Sequence, residues 1–176
     1  MSQPSARYQR STGGLIGALL VLLVLALGYV GVGALTGTDP ETPVRTVDYT
    51  RVEPAARRSA DFDLVAPPSL PDGWRATTVR FVDTPPQHWH LGVLTDRGRY
   101  VGLEQGREGV PSMVRRYVDE RAQRGRRVQV AGEPWTSYTD TGDDLALVRR
   151  EGGTTTLVVG NAVPLATLVS YTAGLR

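Results

Sequence analysis

His88-Trp89-His90-Leu91-Gly92-Val93-Leu94-Thr95 and Arg99-Tyr100-Val101-Gly102-Leu103-Glu104-Gln105, joined by Asp96-Arg97-Gly98, are the stretch on which the fold turns. Both runs alternate, and side chains two apart on a strand share a face. The three-residue connection ends in Gly98, where a hairpin loop of that length wants a left-handed residue. Such a loop pairs Thr95 with Arg99. Val93 then opposes Val101 and Leu91 opposes Leu103, and with Trp89 these make the core face. On the other face Leu94 opposes Tyr100, Gly92 opposes Gly102, and His90 opposes Glu104.

The same reading extends outward. Trp74–Asp83 reads as a strand before this hairpin. Pro111–Arg124 follows as a helix, with Pro in its first turn, an apolar stripe of Met113, Val114, Tyr117 and Val118, and Gly125 as the stop. Arg127–Tyr138 is a strand region bulged near Gly132-Glu133-Pro134. Leu145–Arg150 and Thr154–Gly160 pair around Glu151-Gly152-Gly153, and Pro164–Leu175 closes as a helix. The order is βββα-βββα. It implies an α+β domain, a mainly antiparallel sheet with helices on one face, occupying residues 73–176 and expected to fold alone.

Ahead of it, Leu15–Leu35 runs 21 residues without a charge. As a helix that length spans about 31 Å, the thickness of a bilayer core. Arg7 and Arg10 precede the run and Asp39 and Glu41 follow it, so the positive-inside rule places residues 1–14 in the cytoplasm as a tail. The chain is expected to cross the cell membrane once, as a transmembrane helix over 15–35. The run exceeds the apolar length of a cleaved signal, although Val32-Gly33-Ala34 is a tolerable cleavage site. Residues 36–72 carry Pro40, Pro43, Pro54, Pro67, Pro68 and Pro71 and read as an extracytoplasmic tether, with Asp61–Val65 a short strand at its end.

Charge and composition exclude several functions. The chain has 20 basic residues, all Arg, 18 acidic ones and no Cys. Arg7 and Arg10 account for the whole excess, so the rest of the chain is balanced and has no footprint for nucleic acid. Without Cys there is no disulfide, thiolate nucleophile or lipid-modified cysteine.

The residues that could carry chemistry are few. His88, His90 and Glu104 share one patch beside the flat backbone of Gly92 and Gly102. Two His and a carboxylate are a set that zinc accepts, but His opposite Glu is also an ordinary cross-strand pair. Trp74, Trp89 and Trp135 read as core or core-edge residues. Asp140–Asp144 lacks the spacing of a calcium loop. No G-x-S-x-G elbow or P-loop occurs. No enzyme activity, cofactor or metal is therefore expected.

Arg7 to Leu19 (RYQRSTGGLIGAL), Gly73 to Phe81 (GWRATTVRF), and the W-H-L-G-V-L-T and R-Y-V-G-L-E-Q segments together resemble the actinobacterial membrane-protein family catalogued as domain of unknown function 4245. The resemblance implies a single-pass anchor and an extracytoplasmic domain, and supplies no reaction. The expected function is that of a non-catalytic cell-envelope domain, tethered to the bilayer through 15–35, that binds an envelope protein partner or acts as a sensor. The alternative is a small-ligand or metal-binding domain using His88, His90, Glu104, Gly92 and Gly102.

Overall fold

The computed structural model describes residues 45–176. The tail at 1–14 and the apolar run at 15–35 lie outside the described residues; among those described, no helix is long and apolar enough to cross a membrane. A 3-10 turn at Tyr49–Arg51 and helix α1 (Glu53–Ser59) open the described chain. Strands β1 (Arg75–Val82), β2 (His88–Leu94) and β3 (Tyr100–Gly106) come next, followed by helix α2 (Val110–Tyr117). Strands β4 (Gln123–Val130), β5 (Glu133–Thr139), β6 (Asp144–Glu151) and β7 (Thr154–Asn161) then lead to helix α3 (Leu165–Ala173).

All seven strands join one antiparallel sheet in the order β1-β2-β3-β7-β6-β5-β4. The expected α+β class holds, but the second half is ββββα rather than βββα. Ala131 (φ 50°) and Gly132 (φ 86°) both take left-handed backbone and close a two-residue hairpin. That geometry reverses the chain with the twist strands need, so the expected bulge is a complete turn between two strands. The preceding helix is correspondingly shorter. It stops at Tyr117, and Gln123 and Arg124 belong to β4.

The β2–β3 register is the one read from the loop. His90 pairs with Glu104, Leu91 with Leu103, Gly92 with Gly102 and Val93 with Val101. Thr95 N–H donates to Arg99 O at 2.8 Å, and Gly98 has φ 70°.

Helices cover both faces of the sheet, not one. On the first face Trp89, Leu91, Val93, Val101, Leu103, Leu147 and Val158 pack with Leu168 and Tyr171 of α3. On the second, Ala146, Val148, Leu157 and Val159 pack with Met113 and Val114 of α2. The middle of the sheet is apolar on both sides, because the sequence of β6 and β7 places apolar residues at consecutive positions rather than alternating ones. Two faces then need two covers.

The stretch expected as a tether is folded from residue 45 onward. Tyr49, Ala56, Phe62, Leu64 and Ala66 are buried on the first face. Val47 N–H donates to Ala76 O at 2.9 Å, Tyr49 Oη donates to Pro67 O at 2.9 Å, and Ala66 and Arg176 exchange backbone hydrogen bonds of 3.0 and 3.1 Å. Asp61–Val65 forms no strand. Its fixing contacts are made to side chains instead, which a reading of backbone periodicity does not detect.

Candidate functional site

Strand alternation and the hairpin register bring the five predicted site residues to one place on the second face. Glu104 is the centre. Its Oε2 lies 2.7 Å from His88 Nε2 and its Oε1 lies 2.6 Å from His90 Nδ1. The far side of His90 reaches β1, with Nε2 2.9 Å from Thr78 Oγ1. Tyr117, the last residue of α2, stacks on His88 with centroids 5.3 Å apart, and its hydroxyl is 3.1 Å from His88 Nε2. The result is a chain of contacts from Thr78 through His90, Glu104 and His88 to Tyr117.

The patch is more closed than an exposed strand face. Glu104 is only 3 % exposed. A buried carboxylate is tolerated where hydrogen bonds satisfy its oxygens, and the two imidazoles do so here. The glycine floor is also covered. Tyr100 lies flat on it, so that a Cβ built at Gly102 would stand 3.0 Å from the Tyr100 hydroxyl and 3.2 Å from its ring. The glycines leave room for this ring instead of a groove for a ligand. Burial of one ring face, and then the charge of Glu104, push the Tyr100 phenol up to about 12. The other ring face remains in solvent, with the residue 37 % exposed overall.

The zinc-type set is arranged for hydrogen bonding. The imidazole nitrogens point at the carboxylate oxygens and not at a shared centre, and among the described residues no group of three His, Cys, Asp or Glu side chains could hold a metal ion. Asp140 in the acidic loop is likewise engaged, with Oδ1 accepting from the N–H groups of Gly142 and Asp144 at 2.9 and 2.8 Å. Trp89 is fully buried, Trp135 is 7 % exposed and Trp74 stacks on Tyr171, so all three are core or core-edge residues.

The first face holds a cleft that the sequence reading missed. It has a volume of about 640 Å³ and lies between the segment around Phe62 and Asp63, the ends of β5, β6 and β7, and the end of α3. Gln105 fastens one wall: its Oε1 accepts from Val65 N–H at 2.9 Å, and its Nε2 donates to Asp63 O at 2.9 Å and to Thr156 Oγ1 at 3.2 Å. Arg107 holds the same segment through Asp61 and donates to Gly152 O at 3.0 Å. On the floor Arg149 sits between Glu133 (3.1 Å) and Glu151 (2.7 Å). One signal was available. On β6 the core face runs Leu147, Arg149, Glu151, and a core-facing row that turns charged marks where its cover ends.

The fold is thus that of a seven-stranded antiparallel sheet domain with a polar relay on one face and an open cleft on the other. A family model described as "protein of unknown function (DUF4245)" matches residues 7–168, and the chain belongs to that family. No curated protein matches the chain.

Proposed function

We propose that the protein is a single-pass membrane protein whose domain from residue 45 onward lies outside the cytoplasm and binds a cell-envelope partner through the first-face cleft. The cleft carries this reading. Its volume of about 640 Å³ falls within the range of binding pockets. Its lining combines Phe62, Trp135 and Leu175 with Thr154, Gln105 and the Arg149 cluster, a mixed surface in which polar and charged side chains surround a smaller apolar part. It contains no histidine, so recognition and not proton transfer is the chemistry its side chains favour. The membrane part rests on the uncharged run at 15–35, with Arg before it and acids after it.

Two measurements test the reading. A reporter active only outside the cytoplasm, fused after Arg176, should give signal with the full-length chain in the membrane fraction. A silent reporter, or full-length soluble protein, defeats the topology. A photo-crosslinker at Thr154 should then capture one envelope component that a crosslinker at Arg126, on the far edge strand β4, does not. Equal capture from both positions defeats the cleft.

A further inference from the structure

We propose that Thr78, His90, Glu104 and Tyr100 form a shallow ester-hydrolysing site on the second face, independent of the cleft. The order of contacts carries the inference. An exposed hydroxyl, Thr78 Oγ1, lies 2.9 Å from His90 Nε2, and His90 Nδ1 lies 2.6 Å from Glu104 Oε1. That is the arrangement in which a carboxylate orients an imidazole so that it can take a proton from a nucleophile. An ionised carboxylate only accepts, so a neutral His90 carries its hydrogen on Nδ1 and leaves Nε2 free to accept from Thr78.

The surroundings fit this chemistry. Glu104 is buried and its second oxygen is held by His88, which Tyr117 clamps, so the orienting group is rigid. Gly92 lets the two groups close on its backbone: a Cβ there would stand 2.3 Å from Thr78 Oγ1 and 3.0 Å from the Tyr100 hydroxyl, so both flank the same point. An ester carbonyl that reaches the exposed Thr78 hydroxyl from solvent meets the nucleophile with the phenol donor beside it, an arrangement that stabilises a developing oxyanion. The phenol stays protonated at neutral pH, as a donor must.

The class of substrate is a carboxylic ester with a small acyl group, because Thr78 is exposed and the Tyr100 ring covers the glycine floor beside it. Thr78 Oγ1 bonds to the carbonyl carbon while its proton passes to His90 Nε2. The carbon–oxygen bond to the alcohol then breaks, and His90 returns the proton to that leaving oxygen. Water next attacks the acyl-threonine, giving one proton to His90 and releasing the acid. That proton goes back to Thr78.

The test uses the full chain in detergent micelles with p-nitrophenyl acetate, followed by acid quench and peptide mass mapping. Hydrolysis above buffer is expected, with an acetyl group on Thr78. Thr78→Ala and His90→Gln should each lower kcat by about 10²-fold or more. Tyr100→Phe should lower kcat by about 10²-fold with KM little changed. Thr78→Ser should keep activity and carry the acetyl group at position 78, a result that loss of structure does not produce. The proposal is overturned by no hydrolysis above buffer, by an adduct on a histidine alone, or by a folded Thr78→Ala variant that retains the natural rate.

Discussion

Leu91 and Leu103 face one another across β2 and β3, and neither exposes any surface. Replacing either by Ala should cost about 2–5 kcal/mol in chemical unfolding, the range for a buried leucine that leaves a cavity. Glu104 behaves differently from the cross-strand surface residue that its position suggests. Once it is buried, Glu104→Ala leaves two imidazoles without their acceptor and should cost about 1–3 kcal/mol, more than an exposed pair is worth. A loss below that range would mean water replaces the carboxylate freely. Tyr100 adds a dependence on pH. Its folded phenol titrates at about 12, above the ordinary 10, so the folded state favours the protonated form. The stability this contributes is full below pH 10 and disappears as pH rises from 10 to 12. Thermal melts across that window should fall less steeply for Tyr100→Phe than for the natural chain.

The segment from residue 45 to 66 decides what counts as the domain. It places Tyr49, Ala56, Phe62, Leu64 and Ala66 in the first-face core and is fastened by Gln105, Arg107 and the backbone of Arg176. A fragment of 73–176, the boundary that the prolines suggest, loses all five buried side chains. It should melt well below a 45–176 fragment or without a cooperative transition, which circular dichroism can follow directly. Equal melting of the two would show that the segment is an ornament. Helix α2 is the counterpart on the other face. Met113 is fully buried against β6 and β7, so Met113→Ala should cost about 2–5 kcal/mol although the helix spans only eight residues.

At the scale of the molecule, two cores share one sheet, and strands β6 and β7 contribute to both. Disruption of either face must disturb the other, so Leu103→Ala and Val148→Ala should lower the midpoint of a single transition. Calorimetric and van't Hoff enthalpies should agree for the domain. Two separate transitions would mean the faces are uncoupled.

The sequence alone determined the strands of the β2–β3 and β6–β7 hairpins, the β2–β3 register and therefore the meeting of His88, His90 and Glu104, but not the division of β4 from β5. These follow from a two-residue period and from Gly98 in a three-residue loop, both of which act within a few residues of chain. It also marked the family, through motifs spread from Arg7 to Gln105. Tertiary structure alone decided the rest. The joining of residues 45–66 to the core rests on contacts such as Val65 with Gln105, 40 residues apart, made by irregular backbone that no period announces. The closing of the polar patch needed Tyr117 from α2 and Thr78 from β1, and the glycine floor proved to be a seat for Tyr100. The cleft exists because the cover of the first face ends before the sheet does. Local chemistry sets which way a side chain points; only packing between distant segments sets what it meets there.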